Sequence, residues 1–455
     1  MAEVSWICKR TIVSTKPVEA GKFCSLSVLD RIMEHNHLRL VFYYQHTKNM
    51  KVGESTKILR ESLSEMLCAY PIVTGRLLKT PEGHWMIKCN DAGVRMVEAR
   101  AKGSVDKWLQ NLDREKELNL VHWEPMFHKP YFWSTFYVQL TEFEEGGLAI
   151  GLSCTHLLSD PICATMFIKT WADMTLNGKM VSPPLFHSLP GRTGRSKTIN
   201  HGPGPELINR YKSSLEKPAS VVQVKQTTVL LAFNDEMVRS CMAMSRTTPG
   251  SPDQPSPTPF ETLAALLWVC ISKIKGTKSG LISMSICLDM RKVLGLDKGF
   301  YGNCMVYNEV PGDGIEDYKL SEAAAAIRQV VNRMNSEGIM DLIEWLEGKA
   351  DEFASPVNGY DLTFVNLEHA DSYSAIFEDN FKPIRASYYI EPTVGDGNIL
   401  VLPSPPGEGS FSRVAMITLL EDEAISLLED ELIQKLSPTT LMVADNKHTN
   451  ADSYP

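Results

Sequence analysis

The residues best suited to chemistry lie in Ser153-Cys154-Thr155-His156-Leu157-Leu158-Ser159-Asp160-Pro161, where the strand-like run Gly147 to Cys154 gives way to the helical pattern of Ile162 to Met174. A neutral imidazole held at a strand end and facing a cleft can take the proton from a hydroxyl or amine as that group attacks an activated acyl group. Such a base contributes about 10²- to 10⁴-fold in rate. Asp160 stands at the helix start, where a buried carboxylate is held by a cation or by backbone N–H groups, so its expected job is to fix the turn.

Spacing alone carries little weight. His448 and Asp452 repeat it in a polar tail without strand, helix or core pattern, and only its placement separates His156 from a satisfied core histidine. Asp289-Met290-Arg291, behind the apolar run Leu281 to Leu288, reads as a strand end, and Gly299-Phe300-Tyr301-Gly302-Asn303 as a tight aromatic turn. Gly191 to Thr198 superficially looks like a phosphate loop, but Ser196 replaces the glycine required before the lysine and no strand leads into it. Cys154 and Cys163 flank His156 with no basic partner placed by sequence, and read as core thiols.

Positioning such a site requires sheets packed by helices. Thr56 to Tyr70 puts Ile58, Leu59, Leu63, Met66 and Leu67 on one helical stripe, and Gly147 to Cys154 suits a buried strand. From 181 to 220 the pattern dissolves into a Pro- and Gly-rich, basic stretch that reads as a crossover linker. The expected organisation is an N-terminal unit over 1–180, that linker, a C-terminal unit over 221–443 and a disordered tail over 444–455. In the second unit, Thr227 to Phe233 is strand-like, and 246–259 reads as a mobile Pro/Ser loop. Thr258, Pro259 and Glu261 then form a capped helix start. Helices are expected near 320–335, 338–350 and 422–436, with strands near 281–288, 361–367, 386–391, 398–402 and 413–419.

The chain has 455 residues, with 46 Lys and Arg against 55 Asp and Glu. That length implies more than one core. Ordinary globular composition excludes a disordered chain and a coiled coil, and the mild acidity argues against a broad nucleic-acid footprint. Neither a secretory signal nor a run long enough to span a bilayer is read, which places the chain on the cytosolic side. Ten scattered cysteines without CxxC pairs or zinc spacing read as reduced, mostly buried thiols and indicate no metal site.

Taken in order, Leu26-Ser-Val-Leu-Asp30, Tyr70-Pro71 with Gly75-Arg76-Leu77, Cys89-Asn90 with Gly93, His156-x-x-x-Asp160, Phe260-Glu261 with Trp268, Asp289-x-Arg291 and Tyr301-Gly302-Asn303 form a set. This set resembles the plant BAHD acyl-CoA-dependent acyltransferases over roughly residues 5 to 440. The resemblance implies an α/β fold of two chloramphenicol-acetyltransferase-like domains, each a mixed sheet packed by helices. A channel between them would admit acyl-CoA from one face and acceptor from the other. It makes His156 the general base, pairs Asp160 with Arg291 as structural support, and implies neither a metal nor a covalent intermediate. A monomer is expected.

One landmark departs from the pattern. Where the family has Asp-Phe-Gly-Trp-Gly before Lys-Pro, this chain has Ile376-Phe377-Glu378-Asp379-Asn380-Phe381 before Lys382-Pro383. Bulky and acidic residues replace flexible glycines, which alters the loop and the CoA side of the site. The segments Lys88 to Ala99, Gly146 to Ser153 and Leu362 to Leu367 look like the eceriferum or glossy wax branch. That branch implies a partner, a very-long-chain 3-ketoacyl-CoA synthase of the fatty-acid elongase, at the cytosolic face of the endoplasmic reticulum. There the protein would promote elongation of very-long-chain acyl-CoAs. The alternative is an active O- or N-acyltransferase using His156 as its base.

Overall fold

The computed structural model describes residues 3–443 apart from 17, 20, 46–52, 127–128, 192–203, 217–225, 247–255, 277–279, 316–317, 350–361, 380–381 and 394. Two large sheets carry the chain. In the first the order is Val4–Ile12, Val94–Ala101, Phe136–Phe143, Leu148–Thr155, His37–Tyr44 and Pro383–Glu391. Only Val94–Ala101 and Phe136–Phe143 run parallel to each other. The second has the order Met305–Val310, Met284–Asp289, Leu362–Asn366, Asn398–Pro403, Arg413–Leu420, Gln226–Phe233 and Thr439–Met442. Its three strands from Met284 to Pro403 are mutually parallel and the rest antiparallel. A small third sheet joins Phe23–Ser25, Trp85–Lys88 and Arg76–Lys79. The mixed α/β architecture expected from the resemblance is therefore present.

Burial explains which segments become central. All eight residues of Leu148–Thr155 are buried, as a strand covered on both faces requires. Gly151 leaves no room for a side chain, since a Cβ there would stand 2.1 Å from the Leu120 carbonyl oxygen. Helix Pro161–Asn177 packs on the first sheet, with Phe167 edge-on to Tyr70 and tilted against Phe136. Helix Pro259–Ile274 is the core helix of the second half. Thr258 and Glu261 close its capping box, and every residue from Phe260 to Ser272 is buried. The ten cysteines are free thiols and seven of them are buried.

Several elements differ from expectation. Helix Gly204–Glu216 lies inside the span read as a linker and buries Leu207 and Tyr211, whose hydroxyl accepts a bond from the Tyr307 amide at 3.1 Å. Strands Met305–Val310 and Thr439–Met442 went unread, and Ile58 is 44% exposed although Leu59, Leu63, Met66 and Leu67 beside it are buried. Strand Pro383–Glu391 comes from the second half yet completes the first sheet by pairing with His37–Tyr44. No single cut between 180 and 221 therefore separates the two sheets. Among the described residues no helix is long and apolar enough to cross a membrane. The repeat His448 to Asp452, the tail from 444, and most of the Gly191 to Thr198 and 246–259 segments lie outside the described residues.

Candidate functional site

His156 follows the last residue of the buried strand, and its amide donates to the Asn36 carbonyl at 3.0 Å. Asp160 is the N-cap of the next helix, with Pro161 in the first turn. One carboxylate oxygen accepts from the Cys163 amide at 2.9 Å. Its other oxygen accepts from Arg291 Nη2 at 2.8 Å and from the Cys304 amide at 3.0 Å. Asp160 is fully buried, so these bonds replace the water it has lost. The Asp160–Arg291 pairing implied by the resemblance is what the geometry contains.

Arg291 is itself held from several sides. Its Nη2 donates to the Gly302 carbonyl at 2.7 Å and its Nη1 to Asp289 at 2.9 Å. Burial opposes its charge, but Asp160, Cys163 and Asp289 outweigh that and hold its pKa well above the ordinary value. Cys163 Sγ stands 3.0 Å from Arg291 Nη2, a basic neighbour the sequence did not place. Burial and Asp160 still push the Cys163 thiol up, so the guanidinium does not make it a thiolate. Burial likewise raises the Cys154 thiol.

Asn303 ties the second half to His156. Its amide and its Nδ2 donate to Asp30 Oδ1 at 2.9 and 2.7 Å, and Nδ2 also donates to the His156 carbonyl at 2.7 Å. Asp30 is presented by a capping box with Ser27, legible in the sequence as Ser27-x-x-Asp30. Nothing in the sequence signals its contact with Asn303, which lies 273 residues away.

The imidazole is 1% exposed, and no group among the described residues bonds to its Nδ1. Burial lowers its pKa against the opposing pull of Asp160 and Asn303, and nearby His37 lowers it further. The ring is thus held neutral. His37 belongs to a charged cluster beside the turn, where Glu391 meets His37 at 3.1 Å, Arg39 at 2.8 Å and Arg114 at 2.5 Å. Arg114 also donates to Thr228 at 3.2 Å, joining the two large sheets.

Two cavities mark the seam between the halves. One of about 720 Å³ lies against the turn, lined by Asp30, Leu157, Leu158, Phe186, Tyr301 and Met340 among others. The other, about 290 Å³, lies between the first sheet's last strand and the second sheet and is lined by Leu230, Phe233, Tyr373, Ile384, Arg385 and Leu441 among others. The altered loop runs beside Tyr373. Phe377 is buried edge-on against Tyr44 and Trp171, Asp379 is exposed, and Asn380 and Phe381 fall outside the described residues. No cluster of His, Cys, Asp and Glu able to hold a metal occurs among the described residues.

A model of the Transferase family matches residues 2–434. Among curated proteins, the chain is similar to Protein ECERIFERUM 26-like of Arabidopsis thaliana, at 25% identity over 91% of each chain. It is also similar to Protein ECERIFERUM 2 of the same plant, at 27% identity over 92% of this chain and 95% of that one. Among solved structures, vinorine synthase has a TM-score of 0.72 at 18% identity, covering 97% of this chain and 99% of its own. TRI101 of F. graminearum complexed with ethyl coenzyme A has a TM-score of 0.67 at 14% identity, covering 92% and 99%. At these identities the structures speak for the fold.

Proposed function

The chain belongs to the Transferase family, the BAHD acyltransferases, whose model spans nearly all of it, and on that premise we propose that it is an eceriferum-type member promoting elongation of very-long-chain acyl-CoAs for cuticular wax. The observation that carries this reading is the likeness to ECERIFERUM proteins over more than nine-tenths of both chains. Two local features support it. Phe377 fills the space between Tyr44 and Trp171 where the wider family has a glycine-rich loop, and His156 is closed off from solvent. Acyl-CoA is the ligand this reading requires, and the coenzyme A complex of TRI101 supports that choice. The partner would be the condensing 3-ketoacyl-CoA synthase at the cytosolic face of the endoplasmic reticulum.

The test is the acyl-chain profile of cells expressing a very-long-chain condensing enzyme alone, with this protein, and with its His156→Ala form. Longer products with both forms are expected. Lengthening that required His156 would overturn the noncatalytic form of the reading, and no lengthening with either would overturn the reading itself.

A second reading is favoured by the intact His156, Asp160 and Arg291 arrangement. Here neutral His156 accepts the proton of an alcohol or amine as it attacks the thioester carbonyl. The oxyanion collapses, the C–S bond breaks, and the imidazolium returns the proton to the departing CoA thiolate. His156→Ala would lower such a turnover by about 10² or more. A broad acceptor panel yielding only CoA hydrolysis would sink it.

A further inference from the structure

Two thiols outside the site are placed for chemistry of their own. Strand Phe23–Ser25 runs antiparallel to Trp85–Lys88 with Cys24 opposite Ile87. The Cys89 amide continues that ladder by donating to the Lys22 carbonyl at 2.9 Å. Cys89 therefore lies two positions beyond the partner of Cys24 and shares its face of the small sheet, a diagonal cross-strand pair. The two sulfurs stand 3.6 Å apart, the one pair of thiols in hydrogen-bond contact among the described residues. Cys24 is partly exposed and lines the 720 Å³ cavity, while Cys89 is buried behind it.

The difference in exposure gives the pair an order of reaction. The contact between the two S–H groups, in which either sulfur can donate, lowers the Cys24 thiol against the opposing effect of burial, with Lys22 helping. Cys89 is raised correspondingly. The accessible Cys24 is the sulfur a peroxide reaches first and the sheltered Cys89 stands behind it, the arrangement of an attacking and a resolving thiol.

We propose that Cys24 and Cys89 form a reversible disulfide on exposure to a peroxide, tying one wall of the large cavity to the small sheet. The Cys24 thiolate attacks one peroxide oxygen; the O–O bond breaks and the leaving hydroxide is protonated to water. The resulting sulfenic acid is attacked by the Cys89 sulfur, which loses its proton as the S–S bond forms and a second water leaves. Two thiols are oxidised and one peroxide is reduced to two waters. Closure brings sulfurs now 3.6 Å apart to bonding distance, which for a diagonal pair takes side-chain rotation together with a small shift of the short strand Phe23–Ser25. The tie matters for the site because residues 24–28 and Asp30 line the cavity, and Asp30 is the anchor of Asn303 beneath His156. This inference stands on the small sheet and is independent of either reading of function.

The test uses the full-length reduced chain. After brief exposure to hydrogen peroxide, free thiols are capped with N-ethylmaleimide and the digest is mapped by mass spectrometry. A peptide linking Cys24 to Cys89 is expected, lost with dithiothreitol and absent from Cys24→Ser and Cys89→Ser. Without peroxide, iodoacetamide at pH 7 should label Cys24 ahead of the other nine, and Cys89→Ala, which unlike serine keeps no donor, should slow that labelling at least ~10-fold. Over-oxidation of Cys24 without the linked peptide, linkage only in urea, or labelling unaffected by Cys89→Ala would each overturn the proposal. The linked peptide is read on the native sequence, so the test does not depend on the variants folding.

Discussion

One helix, Pro161–Asn177, supports two neighbouring segments by different physics. At its start the turn from His156 to Asp160 is held by charge and hydrogen bonds, with Asp160 shared between Arg291 and two backbone amides. Further along, Phe377 of the altered loop is held by shape, behind a stretch tied by hydrogen bonds and by the Lys169–Asp371 ion pair. Phe377 sits edge-on to Trp171, and the Tyr388 hydroxyl meets Thr165 and Ser372 at 2.8 and 2.7 Å. The segment that keeps the family pattern is thus the one built around a buried charge, and at Phe377 the segment that departs from it packs an aromatic ring. Retention of His156, Asp160 and Arg291 is what bracing alone would also demand, so the ion pair is poor evidence for catalysis.

The largest effect should come from Asp160→Ala. It removes one of the two carboxylates that hold a buried guanidinium, Asp289 remaining, together with a helix cap, at a cost of about 3 kcal/mol. Urea unfolding of the purified variant, or its failure to accumulate as folded protein, checks this. A loss below about 1 kcal/mol would mean that solvent reaches Arg291 and that the contrast with the loop is false. Phe377→Ala should follow at about 3 kcal/mol, since it empties a site bounded by two rings. Phe377→Leu should recover more than half of that. If Phe377→Ala were neutral, the loop would not be packed and its divergence would say nothing about function.

The two segments also differ in how much the sequence disclosed. The turn was legible because strand, cap, Pro161 and helix follow one another within a few residues, and the same local logic placed the Thr258 and Glu261 capping box. Contacts made across the chain were not. Asp30 with Asn303, and strand Pro383–Glu391 beside His37–Tyr44, join residues hundreds of positions apart that leave no local pattern. Helix Gly204–Glu216 escaped because Gly and Pro residues precede it and its buried contacts, Leu207 and Tyr211, are only one turn of stripe. The missing glycines at 377–381 could be read, but not that Phe377 would fill an aromatic niche.

Acid separates charge from packing directly. Glu391, at the end of the strand that leaves the loop, is held at about 2 by His37, Arg39 and Arg114 against the cost of burial. Its folded value lies below its unfolded one, so its contribution is complete above the ordinary carboxylate range near 4.5 and is lost as pH falls through about 2. Glu391→Gln should therefore cost ~2 kcal/mol at pH 7 and progressively less toward pH 3. The cost of Phe377→Ala should stay constant over the same range. Parallel pH dependence of the two would erase the distinction.

The smallest effect belongs to His156, and its sign matters more than its size. The folded imidazole has a lowered pKa, so as pH falls below about 6.5 the unfolded chain takes up this proton first and the native state loses stability. His156→Gln removes that term. Relative to the native chain it should gain about 1 kcal/mol between pH 7 and 5.5, while differing little at pH 8. Unfolding curves at the three pH values would show it, and an unchanged slope would mean that the ring is already charged or solvated in the fold. A charged ring could not serve as the base of the acyltransferase reading. A neutral one leaves His156 as the substitution that separates the two functions, because, unlike Asp160→Ala, it perturbs the proton and spares the brace.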